Sequence, residues 1–282
     1  MTTQPRQVEE DARGIVDPEL LRRRVTLTRY PSGDVLEGLV DRFWTVRWSL
    51  PDGTSHTQQV LTHPGANVSV ATDAPPLLHG VPRRMTTRTV TGAGWAVAAM
   101  TAPGGLGALV DVPAHTLTDR VVPFASPIAD LDPAALVVAL GAADDDERRV
   151  AVLRDALTGL VARREPACVA TAREVAAVAR IAETDRSVRR VEDLAARAGV
   201  SPRTLQRLFS RFVGVSPTWV VRRYRLLEAG ELARHGEGPL RAAGGWAALA
   251  AELGYSDQAH LTRDFTAHFG VPPAAYAARQ PS

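Results

Sequence analysis

The chain lacks lysine, long apolar runs and all but one cysteine. All 33 of its basic residues are arginine, which reflects genome composition rather than a function. Because Cys168 is the only cysteine, neither an intramolecular disulfide nor a multi-cysteine zinc cluster can form. No apolar run approaches the roughly 18 residues of a membrane-spanning helix, and residues 1–24 are polar, without the apolar stretch of a secretion signal. We therefore expect a cytoplasmic protein without membrane contact, in which Cys168 is a small buried apolar side chain.

Motifs of the common catalytic and cofactor-binding classes are also missing. The chain has no Gly-x-Ser-x-Gly sequence, which would mark a hydrolase nucleophile. Gly92-Ala-Gly94 continues with Trp95-Ala-Val97 rather than with a third glycine before a helix, so it does not resemble a dinucleotide loop. The first half contains four histidines: His56, His63, His79 and His115. No two of them are separated by one residue with a Glu nearby, which is the signature of one class of metal-binding β barrels. We expect no enzyme activity, no metal and no cofactor.

Charge is distributed unevenly along the 282 residues, although the formal net charge is only +2. Residues 186–282 contain 14 arginines and 8 acidic residues, a surplus of six positive charges, so the preceding residues carry a net charge of −4. A hydrophobic content of 45% over this length predicts buried cores and two domains. A basic C-terminal third fits a module that binds phosphates, attached to a partner domain that does not.

Short alternating runs separated by Pro and Gly predict strands in the first half. They cover residues 25–30, 43–50, 58–61, 67–72, 88–91, 95–100 and 117–122. Such a series is typical of a barrel or sandwich of mostly antiparallel strands, and we assign it to residues 25–130. Residues 1–24 are charged and lack periodicity, which predicts a loose leader. With the helical second half, the fold class is α+β.

One of these runs carries two tryptophans on the same face. Alternation places Trp44, Val46 and Trp48 on one side of the strand and Phe43 and Thr45 on the other. If the first set faces inward, its indoles line the barrel and are candidate contacts for a flat or apolar effector. The alternative is an ordinary filled core.

An Ala-rich helical connector is predicted for residues 131–167. The helix over about 147–164 has an apolar stripe at three- and four-residue steps, formed by Val150, Leu153, Leu157, Leu160 and Val161. This stripe can pack on its own barrel or pair with a second subunit. The domain boundary is expected at residues 166–169, and a further helix over about 171–184 opens a domain that spans residues 168–282.

The C-terminal region contains a sequence pattern that occurs twice between residues 188 and 276. Leu194, Ala195 and Gly199 recur about 55 positions later as Leu249, Ala250 and Gly254. Five further residues recur about 56 positions later: Leu205, Arg207, Phe209, Gly214 and Pro217 correspond to Leu261, Arg263, Phe265, Gly270 and Pro273. Each copy reads as a short helix, a Gly-containing turn, a capping side chain and a second helix, which is the helix-turn-helix unit.

In the first copy, the second helix has an apolar and a polar face. Leu205, Leu208, Phe209 and Phe212 form the core side. The opposite face carries Arg203, Gln206, Arg207 and Ser210. Arginine and glutamine side chains suit the hydrogen-bonding edges of guanine and adenine in the major groove, whereas the alternative is a solvated polar face. The turn, the cap and the repetition favour DNA reading.

The equivalent face of the second copy offers fewer reading groups: Gln258, Ala259, Thr262 and Arg263. Asp264 also stands where the first copy has Leu208. We expect the first copy to discriminate between sequences and the second mainly to position the protein on DNA.

These residues resemble the AraC/XylS family of bacterial transcription regulators over roughly the last 95 residues. The motifs are Leu194-Ala195, Gly199-Val-Ser, Leu205-Gln-Arg-Leu-Phe209, Gly214-Val-Ser-Pro217, Tyr224-Arg-Leu, Leu249-Ala250, Leu253-Gly254-Tyr255 and the segment 265–276. Leu249-Ala250 stands where an Ile-Ala pair is usual. The link over residues 235–245 looks longer and more Gly-rich than usual, which leaves the angle between the two units open.

The resemblance implies two helix-turn-helix units joined by a long helix and bound to successive major-groove segments of double-stranded DNA. Residues 217–234 are the joining helix, on which Arg222 and Arg223 are expected to contact phosphates. It also implies that the N-terminal domain is a cupin-like barrel that senses a small molecule, forms a homodimer or does both. A homodimer can form through that domain or through the helix at 147–164, and an activator would also contact RNA polymerase.

The leading hypothesis is therefore a sequence-specific DNA-binding regulator with an effector-sensing N-terminal domain. The alternative is a constitutive dimeric regulator whose N-terminal domain binds no ligand. An enzyme fused to a regulator is disfavoured by the missing catalytic motifs, and the family's DNA-repair branch by the single cysteine. The sequence does not specify the effector, the operator, or activation against repression.

Overall fold

The computed structural model describes residues 6–7, 14–235 and 245–278. The first half contains β1 (Arg6–Gln7), α1 (Pro18–Arg24), β2 (Val25–Pro31), β3 (Val40–Ser49), β4 (Ser55–Val60), β5 (Asn67–Ala71), β6 (Ala74–His79), β7 (Thr86–Thr91), β8 (Ala93–Thr101), α2 (Leu106–Leu109) and β9 (Val121–Pro123). The second half contains α3 (Pro133–Gly141), α4 (Asp146–Ala162), α5 (Pro166–Thr184), α6 (Val191–Arg197), α7 (Pro202–Phe212), α8 (Pro217–His235), α9 (Gly245–Glu252), α10 (Gln258–Phe269) and α11 (Pro273–Ala278). We call residues 14–132 the β-rich region.

The strands form an antiparallel sandwich-like arrangement, which confirms the predicted class. Seven strands pair in the order β1-β2-β3-β8-β5-β6-β9, and β4 pairs with β7 in a separate two-stranded sheet. The order of the larger sheet is linear across the described residues, so the sheet is open rather than closed into a barrel. Its centre is the β3–β8 pair, in which Phe43 lies opposite Ala99.

Three stretches of the first half differ from the sequence prediction. Of the predicted strand 117–122, only residues 121–122 belong to a strand (β9), because Ala114–Leu117 form a short 3-10 helix. β6 was not predicted because it contains Pro75 and Pro76, which cannot donate ladder hydrogen bonds. Within the predicted leader 1–24, residues 18–24 form α1 and Ile15 is buried. The Asp17 carboxylate caps α1 by accepting a hydrogen bond from Leu20 N at 2.8 Å.

The apolar stripe of α4 packs on its own chain. Val150, Leu153 and Leu157 are at most 1% exposed and belong to the hydrophobic core that also contains Phe43. Of the two alternatives for the predicted helix 147–164, the structure therefore has packing on the β-rich region, and this stripe is not available to a second subunit.

The β-rich region and the C-terminal helices share one hydrophobic core. Helices α5, α7 and α8 all contact the β-rich region. Half-buried Cys168, on α5, donates a hydrogen bond from Sγ to Gly107 O at 3.6 Å. A Cβ atom placed at Gly107 would lie 2.3 Å from Phe212 Cδ1, so α2 and the end of α7 are in close contact. In the described part of the chain, no helix combines the length and apolar character needed to cross a membrane.

Candidate nucleic-acid interface

The first helix-turn-helix unit consists of α6 and α7. Gly199 makes the turn with a φ of +64°, a left-handed conformation that glycine adopts without strain. Ser201 then begins α7 by accepting a hydrogen bond at Oγ from Thr204 N at 3.1 Å, and Pro202 occupies the first helical turn. These contacts fix the direction in which α7 leaves the turn.

The two faces of α7 have different surroundings. Leu205, Phe209 and Phe212 are buried in the core. Arg203, Gln206 and Arg207 are exposed on the opposite side, and Ser210 is half-buried. The face that carries the arginine and glutamine side chains is thus open to a partner, while the other face anchors the helix.

The second unit consists of α9 and α10. The Asp257 carboxylate begins α10 by accepting a hydrogen bond from His260 N at 2.7 Å. Gln258, Ala259 and Arg263 are exposed on α10, and Thr262 is half-buried. This exposed face carries fewer side chains suited to base contacts than the exposed face of α7.

A polar network occupies the place that Leu208 takes in the first unit. Tyr255 Oη donates a hydrogen bond to Asp264 Oδ2 at 2.9 Å, and His268 Nδ1 lies 3.4 Å from the other carboxylate oxygen. Burial acts to raise the pKa of Asp264, but hydrogen bonds from His268 and Tyr255 outweigh it and bring the pKa below its usual range. Burial and the Asp264 charge raise the pKa of Tyr255, which therefore stays protonated.

On the joining helix α8, the structure contradicts one predicted DNA contact. Arg222 is exposed, but Arg223 is 1% exposed and cannot reach a phosphate in this arrangement. Its guanidinium donates to Thr62 O at 3.2 Å and to Arg83 O at 2.6 Å, and it lies 4.4 Å from the Trp219 ring. Burial lowers the pKa of Arg223 to about 10, so its charge is retained at neutral pH. Arg223 therefore connects α8 to the β-rich region.

The predicted effector-lining residues are also placed differently. Phe43 and Thr45, rather than Trp44 and Trp48, are the buried residues of β3 that face α4. Trp48 is 5% exposed in a small cluster whose other buried members are Ile15, Leu21, Val25, Leu50 and Val90, with Val46 packed against them. Trp44 donates from Nε1 to Asn67 Oδ1 at 3.0 Å. The alternation was assigned correctly, but Trp48 and Val46 fill a core, which corresponds to the filled-core alternative.

Sequence reasoning did not single out Arg189, Arg190 and Arg225. The structure places them with Arg222 around a cleft between the two units. The adjacent pair Arg189-Arg190 is a visible charge cluster, but its proximity to α8 depends on tertiary packing. The Gly-rich link predicted to set the angle between the units lies outside the described residues, over 236–244.

Comparisons with known proteins concern both halves of the chain. Residues 194–279 match a family model described as a helix-turn-helix domain, and residues 28–123 match one described as a domain of unknown function (DUF6597). The first match covers both units. No curated protein is similar enough to the chain to count as a relative.

Several solved structures are similar in part. The C-terminal domain of AraT, a response regulator from Geobacillus stearothermophilus, is 25% identical, with 39% of this chain and 88% of that chain covered and a TM-score of 0.34. An AraC-type transcriptional regulator from Chromobacterium violaceum is 23% identical, with 39% and 95% covered and a TM-score of 0.33. ToxT from Vibrio cholerae is 10% identical, with 84% and 97% covered and a TM-score of 0.38.

Proposed function

We propose that this chain is a DNA-binding transcription regulator whose C-terminal domain belongs to the AraC/XylS family. On this premise, α7 reads base edges in the major groove. Arg203, Gln206 and Arg207 are the proposed reading groups, with Ser210 at the edge of the contact. Arginine bonds two acceptors of guanine, and glutamine bonds the donor and acceptor of adenine.

One observation carries this proposal. The three side chains are exposed together on one face of α7, whose opposite face is held in the core by Leu205 and Phe209. A helix held on one side and open on the other can enter a groove as a rigid element. An exposed polar face on an isolated helix would not support the same conclusion, but this helix follows a capped turn in a duplicated unit.

The second unit is proposed to position the protein on the adjacent groove segment, about 34 Å along the duplex. Gln258, Ala259, Thr262 and Arg263 form its contact face on α10. Arg222 on α8 contacts phosphate and therefore adds affinity without sequence preference. Arg223 is not part of the proposed contact set, because its donors are used within the protein.

Operator selection followed by affinity measurement tests the reading face. On the selected site, Gln206→Ala and Arg207→Ala should each cost about 1–3 kcal/mol and relax the preference for one base pair. Gln59→Ala and Arg47→Ala make the same chemical changes on exposed strand positions and should bind like the unchanged protein. Unaltered base preference in both α7 variants would exclude α7 as the reading helix.

For the N-terminal half we propose effector sensing transmitted through contacts with α5 and α8. Support comes from a cleft of about 450 Å³ that both halves line. Its polar lining includes Asp41, His63 and Thr101 from the β-rich region, Arg180 and Glu183 from α5, and Tyr224 from α8. A ligand in this cleft would contact the joining helix directly. Trp44, Val46 and Trp48 are not proposed as its lining.

The competing proposal is a constitutive dimer whose N-terminal half binds no ligand. The two differ in how affinity for the selected operator responds to additions. Effector sensing requires the affinity to change with metabolite fractions, and coupling must be reciprocal, so operator DNA must change effector affinity by the same factor. An affinity that depends on protein concentration but on no added fraction would favour the constitutive dimer.

A further inference from the structure

We infer that the cleft between the two helix-turn-helix units binds one phosphate group of the DNA backbone. This inference rests on the proposed function, because it assigns a second and sequence-independent contact to the same DNA complex. The cleft has a volume of about 300 Å³ and is lined by both units and by α8.

Positive charge dominates the lining. The four cations are Arg189, Arg190, Arg222 and Arg225, and Thr218 and His260 add groups that can donate hydrogen bonds. Within the described residues, no carboxylate lies within 4 Å of the Arg189, Arg190 or Arg222 guanidinium, which differs from the ion-paired arginines elsewhere in the chain. Glu192 is the only acidic residue in the described lining, and it is exposed.

The remaining acidic groups nearby have other partners. Asp193 Oδ2 accepts hydrogen bonds from Arg189 N at 3.1 Å and Arg190 N at 3.0 Å. Glu252 pairs with Arg186, and Glu228 pairs with both Arg186 and Arg225. Among the described residues, these carboxylates therefore leave the Arg189, Arg190 and Arg222 guanidinium groups without an ion-pair partner.

Arg225 is the buried cation of the cleft lining. It is 3% exposed, and its Nη2 donates to Asp185 O at 2.8 Å and Val188 O at 3.3 Å. Its Nη1 has no hydrogen-bond partner among the described residues and lies 3.6 Å from a Glu228 oxygen. The Glu228 carboxylate thus offsets part of the Arg225 charge, and the exposed Arg189, Arg190 and Arg222 are the cations that a phosphate in the cleft would meet.

The position of the cleft favours the DNA backbone over a free anion. It lies between the units that carry α7 and α10, which are proposed to enter successive segments of the major groove. The sugar-phosphate strand that separates two such segments must pass between the units. A phosphate there would be held from both units at once and would fix their spacing on the duplex.

The test measures binding of a random-sequence duplex as a function of salt, using the full chain. Arg189→Ala, Arg222→Ala and the double variant remove exposed guanidinium groups and leave the buried Arg225 in place. If both arginines hold one phosphate, the double variant should reduce the slope of log K against log salt by about 0.9. Its effect on affinity should be smaller than the sum of the single effects, as expected for residues that share a partner.

The control double variant Arg24→Ala/Arg47→Ala removes two exposed arginines from the β-rich region. A cleft variant with the slope of this control would overturn the site. A slope reduced by about 1.8, twice the value for one phosphate, would replace the shared site with two independent contacts. Thermal stabilisation by inorganic phosphate that the double variant loses, with an unchanged salt slope, would assign the cleft to a free anion instead.

Failure of the cleft and failure of the regulator proposal give different results. If the cleft variants match the control while Arg207→Ala still relaxes base preference, only the cleft is wrong. If the unchanged protein binds neither random nor selected duplexes, both proposals fail.

Discussion

The two helix-turn-helix units share a sequence pattern but are held by different neighbours. In the first unit, Phe212 packs against Gly107, and Thr118 Oγ1 donates a hydrogen bond to Gly214 O at 2.6 Å. In the second unit, the residue equivalent to Gly214 is Gly270, and a Cβ there would meet no atom of the described residues within 4 Å. The unit with more of the proposed base-reading side chains is therefore the one that packs against the β-rich region. A change in that region should therefore act first on the proposed base recognition by α7.

The largest expected difference is in the free energy of unfolding. It concerns Phe212 and His268, which occupy equivalent positions in the two copies of the repeat. Phe212→Ala should cost about 3–5 kcal/mol, because it leaves a cavity in the core and removes the contact with Gly107. His268→Ala removes a half-buried ring, its hydrogen bond to Asp264 O and its contact with the Asp264 carboxylate, which should cost about 1.5–3 kcal/mol. Urea denaturation of both variants measures the contrast. Equal losses would mean that the docking of the first unit adds no stability.

A matched pair of glycines sharpens the comparison. Gly214 has a φ of +96° and Gly270 a φ of +75°, so alanine at either position should cost about 1–2 kcal/mol of backbone strain. At Gly214 the added Cβ would also lie 2.8 Å from Thr118 Oγ1 and 2.9 Å from Ala114 O. Gly214→Ala should therefore cost a further 1–3 kcal/mol or so, measured by thermal unfolding. The same loss at both positions would contradict tight docking at this point.

The polar network of the second unit is tested by Tyr255→Phe. The variant loses a hydrogen bond to a charged acceptor and should be less stable by about 1.5–3 kcal/mol at neutral pH. Because the hydrogen bonds lower the pKa of Asp264 in the folded protein, the contribution is complete above about pH 4 and is lost as pH falls through the folded pKa. The stability difference between the two proteins should thus shrink in acid. A difference independent of pH would exclude Asp264 as the acceptor.

The smallest effect is expected for Thr118→Val, which keeps the shape of the side chain but removes the hydrogen bond to Gly214 O. The cost should be about 0.5–1.5 kcal/mol in urea denaturation. Thr266→Val is the control in the second unit, since its hydroxyl donates only to Thr262 O within the same helix. The first variant, but not the second, should also alter the proposed response of DNA binding to changes in the N-terminal half.

Local patterns in the sequence predicted the elements whose contacts are mostly local. The cap at Ser201 and the period of Leu205, Phe209 and Phe212 placed α7 correctly. The same reasoning recognised two faces on β3. Which face meets which layer was not accessible, because Trp48 packs with Leu21 and Val90 from distant parts of the chain.

The burial of a charged side chain could also not be predicted from the sequence. Arg223 lies on α8, in which most residues are buried, whereas a charged side chain next to Arg222 in the sequence is expected to be exposed. Its partners, Thr62 and Arg83, are 161 and 140 positions away. A single sequence contains no signal that pairs a guanidinium with carbonyl groups so distant. The same holds for the cleft around Arg225, which exists only after α6, α8 and α10 have packed.

Cys168 allows the contact between α5 and α2 to be monitored in solution. Its sulfur contacts the carbonyl of Gly107, the residue against which Phe212 packs. Because the chain has no other thiol, one maleimide dye would label one known place. The alkylation rate would then follow separation of α5 from α2 in real time, with and without DNA, in the otherwise unchanged protein.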